Sequence, residues 1–239
     1  WVGNSKYGRT NGLVIRNCRF RNLMADGVNL CDGTINSIIE NCHARNTGDD
    51  AFAIWSAVYN QNIWGCENNI IRNNTIQQPW LAQGVAIYGG SGNVAENNLI
   101  MDVPTSAGIL ISTTFDCVPF SGKTIIRNNS IVRGGEPSGK MGAFRVMCDK
   151  QDIQGLEVYN LELYDCTDVG IRFMGKMNIV NAVFDSIKIN YCGAYGIYAS
   201  GETKGLSSFK NVTIDNTALD KVQIETPNLT IQKLEGNNW

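Results

Sequence analysis

The sequence predicts an all-β fold, a right-handed parallel β-helix (a solenoid) of about eight coils. Two short phrases alternate along the 239 residues, each recurs at intervals of roughly 24 to 32 residues, and long helical periodicity is absent. A repeat too short to bury its own apolar face is typical of solenoids, in which stacked neighbours build one continuous core.

The first phrase combines apolar residues with asparagine and occurs as VIRNCRF, IIENCHA, IIRNNTI, VAENNLI and IIRNNSI, with weaker copies further on. Its asparagines follow one another at steps of 24, 32, 24, 31 and 32 residues, and they are Asn17, Asn41, Asn73, Asn97, Asn128 and Asn160. Asparagine tolerates left-handed bends, and stacked amides can donate to one another. We therefore expect these six side chains to form a ladder in the interior, at one corner of successive coils.

The second phrase follows the first by about ten residues and occurs as DGVNL, DAFAI, QGVAIY, AGILI, GAFRV, VGIRF and YGIYA. Each copy is a short alternating strand entered through a small residue. Superposition at the local step of 24 residues predicts that Val28 lies beside Phe52 and Leu30 beside Ile54. Extra sequence at 56–69, 113–123 and 133–142 falls on the corners, where insertions often wall a binding groove.

The eight cysteines follow the same register, because Cys18 and Cys42, Cys117 and Cys148, and Cys166 and Cys192 are 24, 31 and 26 residues apart. Residues stacked on adjacent strands lie about 4.8 Å apart, which leaves the Cβ atoms too distant for an unstrained disulfide. Stacked free thiols are therefore the favoured interpretation. Disulfides are the alternative, above all between Cys31 and Cys66, which have no stacking partner.

Composition limits the classes of partner. Apolar residues make up 43% and charged residues 18% of the chain, which supports a sizeable core in a single domain over 1–239. The net charge of −2 argues against a nucleic-acid partner, and no apolar run is long enough to span a membrane. With a single histidine, His43, we expect no metal and no cofactor. The abrupt start at Trp1 leads us to expect that a longer catalytic region precedes it, and we expect a monomer.

Three carboxylates stand out at the start of the second phrase. At the step of 24 residues Asp26 falls on Asp50, and Asp49 adjoins Asp50 on the same exposed rim. Turn capping, calcium binding and glycoside hydrolysis are the three interpretations of such a cluster. Hydrolysis is favoured, because crowded like charges raise one pKa and keep a proton available while another carboxylate activates water.

The motif ADG, followed by GDD, resembles glycoside hydrolase family 87 (GH87), the α-1,3-glucanases (mutanases and mycodextranases), and more distantly the polygalacturonase and dextranase families of the same fold. In GH87 the catalytic set is an aspartate followed 23 residues later by an aspartate pair, which corresponds here to Asp26, Asp49 and Asp50. The resemblance covers most of the chain. It implies hydrolysis of α-1,3-glucosidic linkages in an α-glucan, with inversion of configuration. The Gly-His-Gly and Arg-Ile-Lys motifs by which polygalacturonases hold a uronic acid are absent, which favours a neutral polysaccharide.

The stacking suggests roles for the three acids. Asp26 and Asp50 are expected to share and activate one water, and Asp49, which points elsewhere, to be the general acid. Sugar rings need flat apolar partners, so we expect substrate-binding residues in the insertion and the next coil; packing is the alternative for each aromatic residue among them. These residues are Trp55, Tyr59, Trp64, Trp80, Gln83 and Tyr88.

The sequence therefore predicts a secreted, extracellular enzyme, endo-acting on a polysaccharide. Another β-helix glycosidase, dextranase-like or polygalacturonase-like, is the nearest alternative. A non-catalytic β-helix that binds carbohydrate or serves as an adhesin is the alternative from a different class. The aspartates favour the enzyme, because a purely structural solenoid has no use for three acids on one rim.

Overall fold

The computed structural model describes residues 1–4, 7–58, 63–137, 139 and 141–239, and its strands stack in parallel on successive coils. Each early copy of the first phrase forms two short strands separated by a bend at its asparagine. Each copy of the second phrase forms a third strand. The structure is thus an all-β parallel β-helix, as predicted. No described helix is both long and apolar enough to cross a lipid bilayer.

The seven copies of the second phrase, together with one further strand at 222–224, build an eight-stranded parallel sheet, here called the site sheet. Its register pairs Val28 with Phe52 and Leu30 with Ile54, which confirms the predicted superposition. The strands of the site sheet are β3 (Val28–Cys31), β6 (Phe52–Trp55), β9 (Val85–Tyr88), β12 (Ile109–Ser112), β15 (Phe144–Cys148), β18 (Ile171–Gly175), β20 (Ile197–Ala199) and β23 (Val222–Ile224).

The first phrases build the two remaining faces of the helix. One series consists of β1 (Val14–Arg16), β4 (Ile38–Glu40), β7 (Ile70–Arg72), β10 (Val94–Glu96) and β13 (Thr124–Arg127), and the other of β2 (Arg19–Arg21), β5 (His43–Arg45), β8 (Thr75–Gln77), β11 (Leu99–Val103) and β14 (Ser130–Gly134). Both series meet at β17 (Leu156–Cys166). The faces continue through β16 (Ile153–Gln154), β19 (Asn178–Cys192), β21 (Lys204–Lys210), β22 (Thr213–Thr217) and β24 (Leu229–Lys233).

Apolar side chains from all three faces point inward and fill the helix. In the later coils the filling is aromatic: the rings of Phe184 and Phe209 stack with centroids 4.7 Å apart, and Phe173 meets Phe184 edge-on at 5.6 Å. Full burial of one such side chain stabilises the fold by about 1.5–3 kcal/mol. Because each coil supplies only a few of these residues, the core exists only when the coils are stacked.

The asparagine ladder requires a correction. The six predicted asparagines do adopt left-handed backbone conformations, with φ between 48° and 59°, but they lie on the exposed side of the bend. The buried ladder consists of Asn74, Asn98 and Asn129, each one residue further along. Asn74 donates to Asn98, and Asn98 donates to Asn129, both at 3.0 Å. The bend turns its own side chain outward, so the next residue is the one that points into the helix.

A column of alternating charge runs along the outside of β1, β4, β7, β10 and β13. Buried Glu40 accepts hydrogen bonds from Arg16 at 2.5 Å and from Arg72 at 2.7 Å. Arg127 donates to Glu96 at 2.7 Å, and Arg72 lies 4.0 Å from the same carboxylate. This charge column joins five consecutive coils and opposes any slip in their register, because a slip would separate the paired opposite charges.

All eight cysteines are free thiols, as favoured from the sequence. Cys166 and Cys192 are register partners, as predicted. The predicted stacking of Cys117 on Cys148 is wrong, because Cys117 forms an isolated bridge with Ala57 while Cys148 pairs with Gly175. Cys117 lies in an insertion outside the regular strands of the coil. Its spacing of 31 residues from Cys148 therefore does not place the two cysteines on adjacent strands.

Candidate functional site

Asp26, Asp49 and Asp50 meet where the chain enters β3 and β6. One carboxylate oxygen of each lies within 4.8 Å of those of the other two. The amide of Gly27 donates to the carbonyl of Asp50 at 3.0 Å, so Asp26 and Asp50 occupy equivalent places on adjacent coils. The convergence inferred from the step of 24 residues is therefore present, and we name these residues the aspartate cluster.

Glycines allow the two coils to approach closely at this corner. A Cβ atom on Gly27 would lie 2.3 Å from the carbonyl oxygen of Ala51, and one on Gly48 would lie 2.4 Å from that of Met24. Both distances are shorter than any tolerable contact, so a side chain at either position would push the coils apart. The absence of a side chain at Gly27 and Gly48 thus allows the coils, and with them the three aspartates, to lie close together.

Asp50 is the most enclosed acid of the cluster, with 5% of its surface exposed. Its Oδ1 accepts the backbone N–H of Gln83 at 3.0 Å, and the Tyr88 hydroxyl points to its Oδ2 at 3.4 Å. Burial raises the pKa of Asp50 well above its ordinary value, and the neighbouring charges of Asp26 and Asp49 raise it further. The protonated form of Asp50 is correspondingly stabilised.

Asp26 faces Asp50 from the preceding coil and is half-buried. Its Oδ2 accepts a hydrogen bond of 3.0 Å from the side-chain amide of Asn29. Burial raises the pKa of Asp26, the charge of Asp49 adds to the effect, and the Asn29 bond opposes it. Two stacked carboxyls with raised pKa values can share a proton or hold a water between them.

Asp49 is the exposed acid of the cluster. Its Oδ1 accepts the backbone N–H of Asp50 at 3.0 Å, and the hydroxyl of Thr47 donates to its backbone carbonyl at 3.1 Å. These contacts fix the turn and orient the carboxylate. Asp49 is therefore the member of the cluster that an approaching molecule can touch first.

An aromatic group covers the outer face of the site sheet beside Asp50. Tyr88 is only 4% exposed, so its ring packs against its neighbours and is not available to a sugar, while its hydroxyl is directed at Asp50. The half-buried ring of Trp55 lies between Trp1 and Phe115, with centroids 5.6 and 5.5 Å away. Of the two predicted sugar platforms that the structure describes in this group, Trp55 reaches the surface and Tyr88 does not.

The remaining predicted site residues lie apart from this group. Trp80 is 42% exposed and borders a groove of about 650 Å³ on the corner beside the cluster. Trp64 lies beside Gly33, beyond the end of β3, with the Arg9 guanidinium 6.0 Å from its ring centre. Gln83 contacts Asp50 through its backbone, while its side-chain oxygen is buried without a hydrogen-bond partner. Tyr59 lies outside the described residues.

Two neighbours of the cluster were not found from the sequence, although their place in the second phrase is a usable signal. Asn29 and Arg145 occupy the outward position of DGVNL and GAFRV, where alternation directs the side chain onto the outer face of the site sheet. Arg145 is buried; it donates to Ser106, its Nε has no hydrogen-bond partner, and within the described part of the chain it forms no ion pair. Its positive charge therefore acts on Asp50 and Tyr88 through a poorly solvated region.

Comparison with known proteins identifies the fold and the family. Residues 5–135 match the family described as alpha-1,3-glucanase catalytic domain D2. No protein of curated function matches the chain in sequence.

Three solved structures are similar over nearly the whole chain. The catalytic unit of the thermostable GH87 alpha-1,3-glucanase from Streptomyces thermodiastaticus strain HF3-3 is 28% identical, with a TM-score of 0.87, over 97% of this chain and 46% of that one. The Agl-KA catalytic domain is 31% identical, with a TM-score of 0.79, over 93% and 42%. A GH87 alpha-1,3-glucanase catalytic domain with one aspartate replaced by alanine, in complex with nigerose, is 25% identical, with a TM-score of 0.82, over 97% and 48%.

The chain thus spans about half the length of the catalytic domains that it matches. The family match, by contrast, covers more than half of the 239 residues of this chain. The chain therefore belongs to the alpha-1,3-glucanase catalytic domain D2 family, within GH87.

Proposed function

We propose that this chain carries the catalytic centre of a glycoside hydrolase that cleaves α-1,3-glucosidic linkages in a neutral α-glucan. The observation that carries the proposal is the aspartate cluster, in which one exposed and two enclosed carboxyls lie within 4.8 Å of one another. Glycoside hydrolysis needs an acid that protonates the leaving oxygen and a carboxylate that activates water or attacks the sugar. The cluster supplies both.

Asp49 is the general acid in this proposal. Its exposed carboxyl can reach the oxygen of a linkage laid over the rim, whereas Asp50 is enclosed by Gln83 and Tyr88. A bound glucan would also displace water from Asp49 and bring its carboxyl into direct contact with the glycosidic oxygen. In its protonated form Asp49 then donates a proton to that oxygen as the bond to the departing sugar breaks.

Asp26 and Asp50 together act as the general base in this proposal. Their stacked carboxyls can bind one water between them and accept its proton as it attacks the anomeric carbon. Both pKa values are raised, so the pair is fully ionised only above the ordinary carboxyl range. We therefore expect kcat/KM to fall as the pH is lowered through that raised range.

The substrate assignment rests on two observations. The GH87 relative with 25% identity was solved in complex with nigerose. The aspartate cluster is itself acidic, and such a cluster repels the carboxylates of a uronic acid polymer while accepting neutral sugars. We propose the same linkage for this chain and endo-type cleavage by a monomer that acts outside the cell, where insoluble polysaccharides are met.

We propose inversion of anomeric configuration. The oxygens of the cluster are closer than the separation of about 6.5–9.5 Å between the two carboxyls of simple inverting enzymes, and nearer the roughly 5–5.5 Å of retaining ones. In Asp50, however, both oxygens face hydrogen-bond donors and the side chain is buried, which suits holding a water better than attacking a sugar. NMR of the first product decides between them: a β-anomer supports inversion, and an α-anomer contradicts it.

Substitution of the acid tests the proposal directly. We expect Asp49→Asn to lower the release of reducing ends from α-1,3-glucan by at least about a hundredfold, the usual worth of general acid catalysis, with an unchanged circular dichroism spectrum. Asp220→Asn is the matched control, since Asp220 is an exposed aspartate outside the cluster. Dextran is assayed in parallel, and faster cleavage of dextran would contradict the α-1,3 assignment. Equal activity of Asp49→Asn and Asp220→Asn would refute the role of the cluster.

A further inference from the structure

A groove of about 650 Å³ runs along the corner of the helix next to the aspartate cluster, and we name it the corner groove. Its apolar lining includes Leu23, Met24, Trp80 and Pro104, and its polar lining includes Asp102 and Arg133. Its walls come from six successive coils, from the bend after β2 to the residue after β17. At about 4.8 Å for each coil interval, the groove extends roughly 24 Å along the helix axis.

The wall of the corner groove adjoins the aspartate cluster along the backbone, although none of the three aspartates lines the groove. Met24 precedes Asp26 by two residues, and its backbone is the close neighbour of Gly48. The amide of Trp80 donates to the carbonyl of Thr47 at 2.9 Å, and the hydroxyl of Thr47 in turn donates to the carbonyl of Asp49. The wall of the groove and the turn that orients Asp49 are therefore one hydrogen-bonded unit.

The lining has the chemistry of a site for a neutral, partly apolar chain. Met24 is 83% and Trp80 42% exposed. Apolar surface that stays in contact with water does not stabilise the fold, and a patch of it is typical of a binding site. Arg133 donates to Asp102 at 2.5 Å, so the two charges of the groove neutralise each other. Amide side chains line the same groove and can bond to hydroxyl groups. A charged ligand would find no uncompensated partner here, whereas a glucan presents both C–H faces and hydroxyls.

We infer that the corner groove binds the part of the α-glucan chain that lies beyond the cleaved linkage, with Trp80 as its principal platform. This inference rests on the proposed function, because it assigns the groove to the same substrate. Trp80 acts on affinity for long chains and takes no part in proton transfer. The substitution Trp80→Ala should therefore weaken binding of long substrates while leaving the cleavage step itself intact.

The test uses an α-1,3-glucan oligosaccharide series, from nigerose upward, and two variants. For Trp80→Ala we expect KM to rise about three- to tenfold on tetrasaccharides and longer chains, with kcat unchanged and with no effect on nigerose. Leu81→Ala is the matched control, because Leu81 is 60% exposed next to Trp80 but does not line the groove. Trp80→Phe should restore most of the loss.

Equal KM values for wild type and Trp80→Ala at every length would overturn the inference, and so would an equal loss at every length, which would mark Trp80 as structural. Calorimetric binding of the tetrasaccharide to Asp49→Asn, with and without Trp80→Ala, separates the inference from the proposed function. If Asp49→Asn retains full activity, the assigned chemistry fails, yet a binding difference between these two variants still supports the groove. If their affinities are equal, the groove assignment fails, whatever the role of Asp49.

Discussion

At the residue scale, Asp50 shows a conflict between stability and chemistry. Its carboxyl is buried beside two further acids, and its raised pKa means that folding favours the protonated form. A group of this kind contributes stability below its unfolded pKa, near 3.8, and loses that contribution as the pH rises through the folded pKa. As far as Asp50 is concerned, the fold is therefore less stable at pH 7 than near pH 3.8, because the ionised carboxyl is favoured in the unfolded chain.

We predict that Asp50→Asn is more stable than wild type at pH 7 although it is inactive. The asparagine can still accept the hydrogen bond from the backbone N–H of Gln83. Because it does not ionise, the free-energy cost of a buried charge is removed. Each kcal/mol recovered should raise Tm by about 2–4 °C for a chain of this size. Thermal unfolding measured between pH 3 and pH 8 checks the sign.

The stability difference between Asp50→Asn and wild type should vanish near pH 3, where both states of the wild type are protonated. Asp220→Asn should show no such pH-dependent gain. A lower Tm for Asp50→Asn across the whole range would contradict the prediction.

At the scale of the structural elements, the two asparagines of the NN pairs perform different tasks. Asn97 occupies a left-handed bend with its side chain in solvent, whereas Asn98 is buried in the ladder. Asn98 accepts from the backbone and side chain of Asn74 and donates to Ile71 and Asn129. Adjacent residues of the same type thus stabilise the bend by conformation in one case and by hydrogen bonding in the other.

We predict that Asn98→Ala lowers the free energy of unfolding by at least about 3 kcal/mol, because four buried hydrogen bonds are lost and their partners stay desolvated. Asn97→Ala is the matched control and should cost about 1–2 kcal/mol, the penalty for a left-handed alanine. Chemical denaturation of both variants gives the comparison. Equal costs for the two would show that the ladder adds nothing beyond the bend.

The same elements show how far the sequence could be interpreted. The pairing of Asp26 with Asp50 was predictable, since the coil between them carries no insertion and the phrases align at 24 residues. The interior ladder was misplaced by one residue, because spacing gives the bend but not the side to which its residue points. The enclosure of Asp50 and the burial of Arg145 depend on Gln83, Tyr88 and Ser106, which come from other coils. One copy of the repeat does not indicate which side chains of other coils will contact it.

At the scale of the whole molecule, the charge column couples five coils that otherwise meet only their nearest neighbours. Glu40 is its most connected acid, and hydrogen bonds from Arg72 and then Arg16 hold the pKa of Glu40 below its ordinary value. A carboxyl with a lowered folded pKa contributes stability above its unfolded pKa and loses it as the pH falls through the folded value. The column should therefore stabilise the stack at neutral pH and weaken in acid.

We predict that Glu40→Gln lowers Tm at pH 7 more than Glu162→Gln does. Glu162 is an exposed acid with a single described lysine partner, Lys188, at 3.1 Å, so its removal should matter little. The difference between the two variants should shrink as the pH is lowered below about 4.5, the ordinary pKa of glutamate. Calorimetric Tm values at pH 7 and pH 3.5 check this, and equal Tm values at pH 7 would contradict it.

The close contact between coils at Gly27 and Gly48 fixes the position of the aspartate cluster. The number of coils beyond it can change without moving the three acids. The three aspartates lie on two adjacent coils, whereas the lining of the corner groove comes from six. Duplication of a later coil would extend the groove by about 4.8 Å and leave the acids where they are. On the proposed assignments, chain-length preference and bond-breaking chemistry would reside in separate parts of the fold, so that the groove could be lengthened without a change at the acids.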